Sequence, residues 1–216
     1  MKTFFKMNLP NKLTTLRMVA VLIVIAIALI PWNGVNGEGM QSWLVANQAN
    51  QYIDWVRYTL CGLFIVASLT DMLDGKIARK RNLVTTYGKF MDPIADKLLV
   101  NSMFMILTFW GLVPLGVLLV IICRDIIVDA IRMIMCEKNV VVPANIFGKL
   151  KTVIQMVAIP FVLVYPVLFS DLAASFPLDT ILCYVAAIAS FLSGVIYFMQ
   201  VKDVVLEGAT SEGENK

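Results

Sequence analysis

The chain is predicted to be an all-α integral membrane protein, with six transmembrane helices around a polar cavity that faces the cytoplasm. Three observations carry that prediction. Of the 216 residues, 59% are hydrophobic and 15% are charged, with a mean hydropathy of +0.81. Soluble domains hold about half apolar and a quarter charged residues, so an apolar solvent accounts for this composition better than a large core does. Uncharged runs of membrane-spanning length recur along the sequence. Lysine and arginine gather in alternate connections, the asymmetry expected when basic loops stay in the cytoplasm.

The first run is uncharged over residues 18–32 and extends back through Arg17 to Leu13. Its apolar part is long and no small-residue cleavage site follows it, so it reads as a span rather than a cleaved signal. Before it, Phe4, Phe5, Met7 and Leu9 interleave with Lys2, Lys6 and Lys12, and residues 1–12 are expected to form an interfacial segment. The second run, residues 58–70, ends directly at Asp71. The third, residues 98–123, contains Gly111, Pro114 and Gly116 in the turn-forming sequence WGLVPLG. Dividing it there gives a third helix over about 88–110 and a fourth over about 115–135. Runs over 152–170 and 180–201 complete the six.

Loop charges decide for six spans over five. With six, one side collects Lys2, Lys6, Lys12, Arg79, Lys80, Arg81, Lys89, Lys138, Lys149, Lys151 and Lys202. The other keeps little beyond Glu38, Asp54, Arg57, Asp171 and Asp179. Five spans would turn over everything after residue 111 and scatter the basic side. The expected organisation is therefore a six-helix membrane domain over 13–204, both termini in the cytoplasm, and a disordered polar tail over 205–216.

Several function classes drop out. A net charge of +3, without a basic stripe interleaved with aromatics, does not suit nucleic acid. Histidine is absent, so a general base must be a carboxylate, a lysine, a tyrosine or a metal-bound oxygen. Cys61, Cys123, Cys136 and Cys183 lack paired spacing and read as buried free thiols. No P-loop or dinucleotide fingerprint is present.

What remains is a carboxylate cluster at the membrane edge. Residues 71–96 read DMLDGKIARKRNLVTTYGKFMDPIAD, with the skeleton Asp71-x2-Asp74-Gly75-x2-Ala78-Arg79-x8-Gly88-x3-Asp92-x3-Asp96. Asp71 and Asp74 share a helical face by their spacing of three, and Asp92 and Asp96 by their spacing of four. One carboxylate at a helix end ordinarily just faces water. Eight specified positions, each matched about once in twenty, coincide by chance roughly once in 10¹⁰ trials, so this pattern carries chemistry rather than solvation. Antiparallel packing of the second and third helices would bring the two pairs together, where they would repel unless cations joined them. Oxygen-only donors suit hard divalent ions, Mg²⁺ or Mn²⁺, and a pair of such ions clamps the oxygens of a phosphoryl displacement. Gly75 and Ala78 permit close approach to the backbone, and Arg79 supplies charge for phosphate oxygens. Pro93 implies a local kink or a helix start near Asp92. A cation transporter would place its carboxylates nearer mid-membrane, in repeated halves, and this sequence shows no internal repeat.

At every fixed position the skeleton resembles the signature of the CDP-alcohol phosphotransferase family of membrane enzymes, whose six-helix architecture agrees with the hydropathy. The resemblance implies transfer of a phosphatidyl group from CDP-diacylglycerol to an alcohol, with release of CMP. It implies two divalent cations held by Asp71, Asp74, Asp92 and Asp96, with Asp96 also the general base. Gly75, Ala78, Arg79 and Gly88 would line the CDP-lipid site, joined from the first helix by Asn11 and Thr14 (with Arg17, they are spaced by threes). It also implies a homodimer. NLPNKLTTLR at 8–17, RDIIVDAIR at 124–132 and GKLKT at 148–152 resemble the phosphatidylglycerophosphate synthase branch, whose acceptor is glycerol 3-phosphate. Arg124, Arg132, Lys149 and Lys151 would then clamp the acceptor phosphate, unless Arg124 pairs with Asp125 or Asp129 and the lysines only mark the membrane boundary. Cardiolipin, phosphatidylserine and inositol-phosphate synthases share the same CDP chemistry.

Overall fold

The computed structural model describes residues 9–29, 52–80, 86–137 and 146–211. Within them all regular structure is helical: α1 (Leu9–Leu29), α2 (Tyr52–Lys80), α3 (Thr86–Phe109), α4 (Leu115–Glu137), α5 (Ile146–Leu168), the short α6 (Ser170–Ser175) and α7 (Leu178–Ser211). The expected loop over 33–54 and the interfacial segment before residue 9 lie largely outside the described residues. α7 remains helical to Ser211 and so overlaps the segment that composition reads as a polar tail. Each residue added to an existing helix gains one hydrogen bond for one residue fixed, so a polar sequence can prolong it.

The long third run divides where its glycine and proline indicated. Gly111 adopts φ 74°, its N–H reaches Thr108 O at 3.0 Å, and the N–H of Leu112 reaches Leu107 O at 2.9 Å. This Schellman closure satisfies the terminal carbonyls of α3 with a left-handed glycine. Pro114 then precedes α4 and its carbonyl accepts from Val117 N–H at 3.0 Å. Because an L side chain disfavours the left-handed region, Gly111→Ala should destabilise the protein by about 1–2 kcal/mol. A lower melting temperature in detergent, with wild-type helix content, is the expected reading.

Packing is organised around a few contacts between helices. α1 packs against α2 and α3, α4 against α3 and α7, and α5 against α2, α3 and α7. Leu60, Phe64, Met103, Phe104, Leu107, Ile121, Ile159 and Leu163 form a closed apolar core. A smaller cluster of Val128, Ile131, Met135, Tyr197 and Val201 joins α4 to α7. Ala186, Ser190 and Gly194 recur every four residues along α7, and small residues at that period let neighbouring backbones approach closely. Pro160 and Pro166 sit inside α5, and between them Tyr165 donates from its hydroxyl to Phe176 O at 2.9 Å, tying the end of α5 to the connection that follows α6.

Polarity is arranged against the soluble pattern. Leu22, Val66, Ile126, Met133 and Ile188 are exposed, whereas Thr14, Arg17, Asp125, Lys151, Gln155, Ser190 and Ser193 are buried. Exposed apolar belts of this extent mark surfaces that meet something other than water. α5 and residues 178–202 of α7 are long and apolar enough to cross a membrane. All four cysteines are free, but only Cys61 and Cys183 are buried; Cys123 and Cys136 are exposed on α4, correcting the expectation of four buried thiols. A thiol on an outward apolar face loses little by being there.

Candidate functional site

α2 is helical through Asp71, Asp74, Gly75, Ala78 and Arg79, and α3 through Gly88, Asp92 and Asp96. Both aspartate pairs therefore occupy helical backbone, at the spacings that put each pair on one face. Asp92 and Pro93 fall in the second turn of α3 rather than at its start. The side chains of Asp71, Asp74, Arg79, Asp92 and Asn11, and the whole of residues 81–85, lie outside the described residues. The site can be followed in side-chain detail from Asp96 onward.

Arg17 of α1, 4% exposed, donates from Nη1 to Asp96 Oδ1 at 2.9 Å. The Asp96 side chain keeps 38% of its exposure, so it is oriented by a buried guanidinium yet open to a ligand. Thr14, one turn before Arg17, is buried beside it on α1. The next residue of α3, Lys97, pairs with Asp129 of α4. One turn back along α4, Asp125 is buried, and its Oδ1 accepts from Arg124 Nη1 at 3.0 Å and from Lys151 Nζ of α5. Arg124 Nη2 donates to Ser193 Oγ of α7 at 2.8 Å.

These contacts form an ionic belt through α1, α3, α4, α5 and α7. Its logic is desolvation: a buried charge costs several kcal/mol unless it is paired and hydrogen-bonded. Asp125 and Asp129, four apart on α4, share the face that meets those partners. Among the expected acceptor cations, the structure brings Arg124 and Lys151 together. Arg132 is exposed, with its guanidinium 5.6 Å from the Tyr197 ring centroid, and Lys149 is exposed near the start of α5; neither joins the belt through a contact seen among the described residues.

Arg17 and Lys97 were legible only as charges in or beside apolar runs, Arg17 with the added signal of its spacing from Asn11 and Thr14. Ser193 and Gly194, inside an uncharged stretch, gave no signal at all. The chemistry of the donor set, carboxylates with neither histidine nor paired cysteine, suits a hard divalent cation; of the four aspartates Asp96 is described in side-chain detail, and its Oδ1 faces Arg17 while the carboxylate stays partly exposed.

The bundle thus keeps a partly buried belt of carboxylates and cations inside an otherwise apolar body. Residues 7–201 match the family model described as CDP-alcohol phosphatidyltransferase, and the chain belongs to that family. A protein of Bacillus subtilis (strain 168) named CDP-diacylglycerol–glycerol-3-phosphate 3-phosphatidyltransferase is 39% identical over 192 residues, 88% of this chain and 93% of its own length. Proteins with the same name are 32% identical over 201 residues in Rickettsia bellii (strain RML369-C), spanning 90% of this chain and 96% of theirs, and 37% identical over 160 residues in Mycoplasma pneumoniae (strain ATCC 29342 / M129 / Subtype 1), spanning 73% and 68%.

Proposed function

We propose that the protein transfers the phosphatidyl group of CDP-diacylglycerol to glycerol 3-phosphate, forming phosphatidylglycerophosphate and CMP. Arg124 takes the Asp125 partner that the competing sequence reading expected, but the same carboxylate also meets Lys151, and this surplus of one positive charge among the three groups is the structural feature that supports a phosphorylated acceptor. A dianionic phosphate needs paired cations, and an unphosphorylated alcohol has no use for them. Arg132 and Lys149, both exposed, add attraction along the approach.

In this reading CDP-diacylglycerol enters laterally from the bilayer with its acyl chains between helices. Arg79 lies near the diphosphate, Gly75, Ala78 and Gly88 leave room for the nucleotide, and Asn11 and Thr14 reach it from α1. Asp71, Asp74, Asp92 and Asp96 would hold two divalent cations, Mg²⁺ or Mn²⁺, which when bound would supply charge neutralisation at the diphosphate and polarisation of the lipid-bearing phosphorus. A hydroxyl of glycerol 3-phosphate attacks that phosphorus in line. Its new O–P bond forms as the bond to CMP breaks, and its proton passes to Asp96. Arg17 keeps the Asp96 carboxylate in place for that transfer. Positioning and charge neutralisation supply most of the rate. The protein is multi-pass, with the site and both termini on the cytoplasmic side; the basic loops support that orientation.

The test is CMP release by purified protein given CDP-diacylglycerol, Mg²⁺ or Mn²⁺, and one acceptor at a time. Release is expected with glycerol 3-phosphate. Release with serine or inositol phosphate alone would remove the acceptor assignment and leave the family chemistry standing.

A further inference from the structure

Arg124 is held at three points. Nη1 meets Asp125, Nη2 meets Ser193, and its aliphatic stem crosses Gly194 so closely that a Cβ there would stand 2.8 Å from Cγ and 3.5 Å from Nε. The glycine is not needed for backbone conformation, because among the described residues the only glycine at positive φ is Gly111. Glycine inside a helix costs about 0.5–1 kcal/mol relative to alanine. Gly194 is therefore a space requirement: it lets this arginine lie where it does.

The seat so built is charged beyond balance. Arg124 and Lys151 share one oxygen of one carboxylate, leaving the three groups with a formal charge of +1. Arg124 Nε is buried without a hydrogen-bond partner among the described residues. So are Gln155 Nε2, one turn along α5 from Lys151, and Ser190 Oγ, one turn along α7 from Ser193. Gln155 is 2% exposed and Ser190 0%. Each unmet buried donor costs about 1–3 kcal/mol. A net positive charge with unmet donors on the neighbouring helical turns suits an anion that only accepts hydrogen bonds.

We propose that Asp125, Ser193 and Gly194 are positioning residues which preassemble Arg124 and Lys151 as the cation pair that selects a phosphorylated acceptor over the bare alcohol. This rests on glycerol 3-phosphate being the acceptor and adds the parts of the bundle that make the selection. Positioning and simple charge predict opposite signs for one substitution. Asp125→Asn removes the only negative charge among the three groups, so charge alone would tighten the binding of a dianion. If Asp125 positions the cations, the same change weakens it.

The experiment compares full-length wild type, Gly194→Ala, Ser193→Ala and Asp125→Asn in mixed micelles. It reads KM for glycerol 3-phosphate, KM for CDP-diacylglycerol, the rate with glycerol, and the melting temperature. Gly194→Ala gains helix propensity while displacing Arg124, so the melting temperature is read beside the kinetic constants to separate folding loss from lost positioning. Gly116→Ala, whose Cβ would meet nothing within 4 Å, controls for helix propensity. Gly194→Ala should raise KM for glycerol 3-phosphate about tenfold, the value of a displaced charge-assisted contact. KM for CDP-diacylglycerol should stay within about twofold, and the preference over glycerol should shrink. Ser193→Ala should move the same constant less, and Asp125→Asn should raise it.

An unchanged KM for glycerol 3-phosphate in Gly194→Ala would overturn the proposal. So would a rise in both constants with a lower melting temperature, or a tighter KM in Asp125→Asn. Wild-type protein that releases CMP only with unphosphorylated acceptors would instead overturn the acceptor assignment, and with it the selection built on it.

Discussion

Asp96→Asn is expected to lower turnover by about 10²–10⁴-fold, the usual contribution of a positioned general base, while leaving most CDP-diacylglycerol binding in place. The amide matches the carboxylate in shape, and its oxygen can still accept from Arg17 Nη1, so the link between α1 and α3 persists in weakened form. What the amide cannot do is take the proton of the attacking hydroxyl. The chain contains no histidine to take over that proton. CMP release under saturating substrates measures the loss, and binding of radiolabelled CDP-diacylglycerol measures what is kept. Near-normal turnover would remove Asp96 from the base role. Recovery at raised Mg²⁺ would reassign the residue to holding an ion rather than a proton.

Chelation should be more severe still. Protein stripped with EDTA is expected to release no measurable CMP and to recover on addition of Mg²⁺ or Mn²⁺. In the proposed site Asp71, Asp74, Asp92 and Asp96 would bring like charges together, and without cations to join them they would repel one another and the diphosphate alike. Asp74→Asn should shift the Mg²⁺ concentration for half-maximal activity upward by about an order of magnitude, the scale on which altering a site's carboxylates moves ion affinity. Full activity in excess chelator would eliminate the metal site from the mechanism.

Much of the fold could be read before any coordinates. Gly111 announced its turn because glycine tolerates a left-handed conformation, and the long uncharged runs announced helices, two of which are long and apolar enough to cross a membrane. The aspartate skeleton was legible for a different reason: carboxylates beside apolar sequence are expensive enough to be informative. Partners were harder to read. The sequence offers Arg124 both Asp125 and Asp129, and periodicity cannot choose between them; the structure assigns Asp125 to Arg124 and Lys151, and Asp129 to Lys97. Ser193 and Gly194 stayed hidden because their importance lies in what α4 lays across them, a fact of helix packing that no local pattern encodes.

The ionic belt also bears on how the chain enters a bilayer. α5 and much of α7 are apolar enough to cross unaided, but α4 carries Arg124, Asp125, Asp129 and Arg132 along its length. Each such charge adds about 2.5–3.5 kcal/mol at the centre of an isolated inserting helix. The counter-charge Lys151 lies on α5, downstream in the chain. In the multi-pass arrangement proposed above, α4 would emerge during synthesis before this partner, and its stable insertion would wait for α5 to arrive. On that arrangement, the residues proposed to bind the acceptor would make their own helix a late and dependent step in biogenesis.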